Sequence, residues 1–163
     1  MNQPDLRPVQ HEVFRNFLEM PGHLLRRCHQ ISVAIFLEEC RAFDLTPLQF
    51  SCLAALDQFG AMDQVSLGGV TALDRTTIIV VLSKLEERSL LTRSQSDKDK
   101  RSKIVKITHA GRVLVRSVLP YVQQTQERMV EPLSSRERNQ LQTLLKKMAD
   151  ANNRLSRAPH RLP

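Results

Sequence analysis

The apolar residues of this chain change spacing several times, and each change marks an element. Ile78, Val81, Leu82 and Leu85 recur at i, i+3, i+4 and i+7, which on a helix gathers them on one face. Thr76, Val80, Ser83 and Glu87 then lie opposite, with Ile79 and Lys84 on the flanks. Asp74 stands just ahead, where its carboxylate can accept from the unpaired amides of a first turn and complement the helix dipole, so the helix is expected to start at Arg75. Beyond it the period falls to two. Leu91 to Gln95 and Lys103 to Ile107 read as short strands, and the polar run 96–102 between them suits only a turn.

The same reading extends to both ends. Helical spacing through Val13, Phe14, Phe17 and Leu18 predicts a helix from His11 to Glu19, interrupted at Pro21-Gly22. A longer helix from about His23 to Phe43 sets Leu24, Cys28, Ile31 and Ile35 on one stripe. Thr46-Pro47-Leu48-Gln49 is a capping box with proline in the first helical position; its helix should reach about Gln58, pack through Phe50, Leu53, Ala54 and Leu56, and stop in a left-handed turn at Phe59-Gly60. A short helix from about Asp63 to Val70 carries Gly68-Gly69, a pair that costs roughly 1 kcal/mol each relative to alanine and is read as letting the next helix approach closely. Thr108 caps a long helix to about Val130, with Val115, Val118, Leu119, Val122 and Met129, and Pro120 should bend it. Ser134-Ser135-Arg136-Glu137 is a second capping box, opening a helix to about Leu155 with Leu141, Leu144, Leu145, Met148 and Leu155 in a stripe. Nothing within one chain covers both long terminal helices. That predicts a homodimer, with a monomeric three-helix bundle as the alternative.

Composition agrees with a mainly α chain carrying a small β-hairpin: 41% of its 163 residues are hydrophobic, with five Gly, one Tyr and no Trp. A net charge of +7 and a pI near 9.8 point to a polyanionic partner, and the position of the charge says more than its sum. Arg93, Lys98, Lys100, Arg101, Lys103 and Lys106 crowd the hairpin against only Asp97 and Asp99, so it can approach phosphates. A capped helix followed by a basic hairpin is how a winged helix-turn-helix reads in sequence.

Other chemistry finds little purchase. There is no nucleophile elbow, H-E-x-x-H or phosphate-binding glycine loop, and Glu38-Glu39 and Glu86-Glu87 read as solvated helix faces, so no enzyme is expected. Cys28, Cys40 and Cys52 lie in predicted helices without a C-x-x-C pair or a histidine at metal spacing; they read as buried free thiols, with no metal and no cofactor implied. No apolar run of about 18 residues exists and Met1 to Arg7 lacks a signal-peptide core, so a cytoplasmic protein without membrane association is expected.

Leu73-Asp74-Arg75-Thr76-Thr77, Leu85-Glu86-Glu87-Arg88-Ser89-Leu90-Leu91, Asp97-Lys98-Asp99-Lys100-Arg101-Ser102 and Ile107-Thr108-His109-Ala110-Gly111-Arg112 together resemble the signature of the MarR family of bacterial transcription regulators, in order and in spacing, over roughly Leu24 to Met148. The chain departs from it at Ile79 and Val80, where the family often has Thr or Arg, and at Ser89, where it usually has Gly. The resemblance implies a winged helix-turn-helix over residues 44–108 and a discontinuous helical dimerisation region over 10–43 and 109–157, with flexible tails at 1–9 and 158–163. It further implies a homodimer that binds a palindromic operator on double-stranded DNA, its two reading helices about 34 Å apart. Such a protein is expected to act as a repressor and to be released by a small aromatic acid or phenol.

Onto this sequence the resemblance carries DNA contacts at Arg75, Thr76, Thr77, Ile79, Val80, Ser83 and Lys84 of the helix and at Arg93, Lys98, Lys100, Arg101, Ser102 and Lys103 of the wing. His23 and Arg27 are the polar candidates for holding an effector carboxylate, with Phe50 as an apolar wall. Some relatives carry a redox-sensing cysteine near the start of the first long helix, where Cys28 stands, but its neighbours Leu25 and Ile31 imply an apolar site that raises a thiol pKa. The rival from another class is a winged-helix module that binds acidic protein through its basic wing and answers to no ligand.

Overall fold

The computed structural model describes residues 16–96, 100 and 102–162. Residues 16–19 are helical, and α1 (Pro21–Glu39) follows, with Pro21 in the first-turn position where its missing amide costs nothing. Pro21-Gly22 therefore opens this helix instead of standing outside it. α1 ends at Glu39, short of the expected Phe43, because Cys40 turns the chain into a 3-10 segment (Arg41–Phe43) that closes on left-handed Asp44.

The Thr46 capping box forms in both directions, Gln49 N–H donating to the Thr46 hydroxyl at 3.3 Å and Thr46 N–H to the Gln49 side chain at 2.9 Å, and starts α2 (Pro47–Phe59). Gly60 does take a positive φ of 82°, but its ψ of −165° extends the chain in place of the expected left-handed stop. The extended chain becomes β1 (Met62–Asp63), a strand of two residues. Asp63 then caps α3 (Gln64–Thr71), which ends on Ala72 in the left-handed region. After it comes α4 (Arg75–Glu87), whose axis turns 106° from that of α3, within the range of a helix-turn-helix.

α4 closes on a Schellman motif. Ser89 N–H donates to Glu86 O at 2.8 Å and Leu90 N–H to Leu85 O at 3.0 Å, with Ser89 left-handed at φ 57°. β2 (Leu91–Gln95) and β3 (Lys103–Ile107) pair antiparallel, Leu91 opposite Ile107 and Arg93 opposite Val105. β1 adds to the far side of β3 with Met62 opposite Val105, giving the order β1-β3-β2. The hairpin is thus a three-stranded sheet. Leu53 and Leu56 of α2, Leu67 of α3, Leu82 and Leu85 of α4, Leu91 and Val105 of the sheet are fully buried together, so the reading helix is seated on one continuous core.

Thr108 caps α5 (His109–Met129) by accepting from Gly111 N–H, and the Ser134 box starts α6 (Ser135–Asn152). α5 contains Pro120 and lies against α1, where Arg128 reaches Glu39 at 2.7 Å and Glu38 at 3.0 Å. Their outer surfaces remain apolar and exposed: Leu24, Leu25, Ile31 and Leu37 on α1, Val113, Leu119 and Tyr121 on α5, Leu144, Leu145 and Met148 on α6. α6 buries no residue at all.

Two details revise the sequence reading. Cys40 and Cys52 are buried free thiols, but Cys28 is exposed, because its position on α1 faces outward beside Leu24 and Ile31. Burial pushes the Cys52 thiol up to about 12 and raises Cys40 as well, so both stay protonated. The C-terminal segment also turns back. After the 3-10 turn Asn153–Leu155, His160 N–H donates to the Asn153 side chain at 2.7 Å and Arg161 N–H to Gly69 O of α3 at 3.0 Å, so residues 158–162 of the expected tail lie on the helix-turn-helix.

Candidate nucleic-acid interface

The start of α4 is organised by one carboxylate. Asp74 accepts from Thr76 N–H at 3.0 Å, Thr77 N–H at 2.9 Å and the Thr77 hydroxyl at 3.2 Å. The Thr77 amide is the largest cause that holds the Asp74 pKa below the ordinary carboxylate range, against an opposing desolvation. Capping leaves Arg75 and Thr76 exposed at the positive end of the helix dipole, a place suited to phosphate.

Along α4 the expected division of faces is present. Ile78, Val81, Leu82 and Leu85 are buried, whereas Ile79 is 42% and Val80 51% exposed, alongside exposed Lys84 and half-buried Ser83. Close seating needs Gly68: a Cβ there would lie 3.0 Å from Leu73 O and 3.6 Å from the Ile78 side chain. At Gly69 a Cβ would meet Arg161 at 3.5 Å, an ordinary contact. Of the pair, it is Gly68 that carries the close approach to the reading helix.

The wing residues separate into two groups. Arg93 points back onto α4: its Nε donates to Glu86 at 2.8 Å, its terminal nitrogen to Ser83 Oγ at 3.3 Å, and its own amide to Glu86 at 3.0 Å. The hydrogen bond from the Arg93 guanidinium is the main reason Glu86 titrates below the ordinary glutamate range. Arg93 and Ser83 thus lock the wing to the reading helix. Lys100 and Lys103 are exposed, with the turn held by Gln95 Nε2 donating to Lys100 O at 2.7 Å. Lys98 and Arg101 lie outside the described residues.

Of the three effector candidates, His23 and Arg27 share one side of α1 at i and i+4. His23 is half-buried, its Nδ1 has no hydrogen-bond partner among the described residues, and its ring meets Phe17 edge-on at 4.8 Å. Arg27 is exposed. Phe50 packs on Phe36 at 6.3 Å, and Phe36 stands thirteen residues beyond His23, about 20 Å along the helix. Within one chain Phe50 therefore lies more than three turns of α1 from His23, and the ring beside His23 is Phe17. Sequence periodicity ranks Phe50 as apolar without saying which turn of α1 it meets.

Comparison with known proteins agrees with this geometry. Residues 45–103 match the model of the MarR family. The transcriptional repressor NicR of Pseudomonas putida is 35% identical over 134 residues, 82% of this chain and 85% of that protein. The structure of Bordetella bronchiseptica BpsR, solved to explain regulation of its DNA binding by 6-hydroxynicotinic acid, superposes with a TM-score of 0.78 at 38% identity, covering 82% of this chain and 96% of that one. The repressor CouR bound to a 23-mer DNA duplex gives a TM-score of 0.74 at 29% identity, covering 82% and 94%.

Proposed function

This chain belongs to the MarR family of winged-helix, DNA-binding transcription regulators, and we propose that it is a homodimeric repressor of a palindromic operator, released by a small aromatic acid. The observation that carries the reading is α4: a fully buried apolar stripe beneath an exposed row of Thr76, Ile79, Val80 and Lys84, locked to a basic wing by Arg93. A helix so mounted can enter a major groove while the wing follows the backbone. The apolar outer faces of α1, α5 and α6 support dimerisation through residues 10–43 and 109–157, leaving 44–108 to read DNA.

Support for the effector comes from α1 and from a relative. The Nδ1 of His23, which has no hydrogen-bond partner among the described residues, and the Arg27 guanidinium one turn on are a donor pair for a carboxylate, with the Phe17 ring beside His23. BpsR, whose DNA binding 6-hydroxynicotinic acid regulates, makes a heteroaromatic acid the first compound to try. Binding there acts on α1 and reaches α4 only through a rearrangement of the helices between them.

Footprinting upstream of the protein's own gene, then mobility shifts with 6-hydroxynicotinic acid and simple benzoic and phenolic acids, tests the whole reading. Expected are a protected site with two-fold symmetry, a mass in solution of twice 18.7 kDa, and release by one of the acids. Arg101→Ala should weaken binding sharply without affecting the dimer, and Arg27→Ala should keep operator affinity yet lose release. Salt-dependent capture of an acidic protein with no protected duplex would favour the interaction-module reading instead.

A further inference from the structure

Between α3, the start of α4, the head of β3 and the C-terminal segment lies a cavity of about 580 Å³. Its inner wall is apolar, from Gly68, Leu73 and Ile78, with Ala158 and Pro159 facing them. Among the described residues that line it, Arg75, Lys103, Arg157 and Arg161 stand against one carboxylate, that of Asp74. That carboxylate already accepts from two amides and a hydroxyl in its own helix.

Two of the four cations are delivered by the C-terminal segment, and the backbone holds them there. Arg161 N–H donates to the backbone carbonyl of Gly69 at 3.0 Å. Asn153 clasps His160 from both sides, donating to its carbonyl at 2.9 Å and accepting from its amide at 2.7 Å. Arg157 and Arg161 are exposed. A docked segment that adds positive charge to an already positive face raises the self-repulsion of the free protein and makes the same face a stronger trap for a polyanion.

We propose that residues 156–162 form a third DNA-contacting arm, in which Arg157 and Arg161 join Arg75 and Lys103 in neutralising phosphates beside the base-reading helix. The sign of the charge decides against the opposite role. A segment that blocked the surface by imitating DNA would be acidic, and this one is basic. The proposal rests on the DNA-binding reading of α4 and the wing. Phosphate contacts carry no sequence information, so the arm strengthens binding to operator and unrelated duplex alike.

The test is a salt titration of the full chain and of Arg157→Ala/Arg161→Ala against a fluorescent operator duplex and a fluorescent duplex of mixed sequence. Each neutralised phosphate contributes about 0.9 to the slope of log K against log salt, so the double variant should lose about 1.8 per protomer, with the same fractional loss of affinity on both duplexes. Arg157→Lys/Arg161→Lys should restore the slope, which a purely structural role of the guanidinium groups would not allow. An unchanged slope in the alanine variant, with normal wild-type binding, overturns the arm alone. A rise in affinity overturns it too, as the mark of a blocking segment. Wild-type protein that binds neither duplex in a salt-dependent way overturns the underlying reading, and the arm with it.

Discussion

A Cβ on Gly111 would lie 2.2 Å from the carbonyl oxygen of Leu90, so α5 begins against the head of β2 with no room for a side chain. The same Cβ would stand 2.7 Å from the Ile107 side chain, and the Leu90 carbonyl is held in place by Thr108 N–H at 3.0 Å. The carbonyl, being backbone and held by that bond, cannot turn out of the way. Gly111→Ala should therefore destabilise at or beyond the upper end of the roughly 1–3 kcal/mol typical of overpacking. Denaturant melts of the two proteins decide it: coincident midpoints would show that the helix start can shift freely.

Ser89 offers the opposite case. It occupies the left-handed position of the α4 Schellman motif at φ 57°, a conformation that costs a residue with a Cβ about 1–2 kcal/mol. Glycine avoids the strain but gives back part of the gain through its freer unfolded chain. Ser89→Gly should raise the melting temperature by about 2 °C, the shift expected for a net gain of roughly 0.5–1 kcal/mol in a domain of this size. A lowered melting temperature would mean that the serine side chain makes up for its strain.

What could be read in advance follows the range over which the physics acts. Asp74, Thr46 and Ser134 mark their helices because capping is a contact within four residues, and the alternation at Leu91–Gln95 and Lys103–Ile107 marks strands for the same reason. β1 escaped because Met62 and Asp63 are too few to show a period; only their pairing with β3 makes them a strand. Arg93 counts as a wing cation in sequence, yet Glu86, seven residues earlier, claims it across the gap from helix to sheet. The C-terminal arm was missed although Arg154, Arg157, His160 and Arg161 cluster in a few residues. That cluster was its signal, and its docking runs through the backbone carbonyl of Gly69, far away in the chain.

The Asp74 cap ties α4 to pH. Its pKa is lowered in the folded chain by the Thr77 and Thr76 hydrogen bonds, so the unfolded chain binds the proton more readily. The stabilisation is then fully present above the ordinary aspartate range and is lost as pH falls through the lowered folded value. Asp74→Asn keeps a capping oxygen without the charge. Its deficit in melting temperature relative to wild type should be constant near neutrality and close on acidification. A gap that widens in acid would reverse the sign and remove the cap as its cause.

Val80 and Ile79 are the residues whose exposure most needs a purpose. Both are β-branched and apolar, both stand on the outer side of α4, and the buried stripe leaves them no partner in the core. Water is a poor neighbour for them, and a major groove offers a specific alternative in the thymine C5-methyl, the one apolar feature on a base edge. Arg75 and Thr76 at the helix start would meanwhile hold phosphate, fixing the depth at which Val80 meets the bases. The operator should therefore carry thymine opposite Val80 in each half-site. Replacing those thymines by uracil deletes only the methyl and should weaken binding, while Val80→Ser, which has no methyl to offer, should bind with less dependence on the thymine methyl. If uracil throughout both half-sites leaves affinity unchanged and Val80→Ala instead lowers the melting temperature, the side chain serves packing and the contact with thymine is refuted.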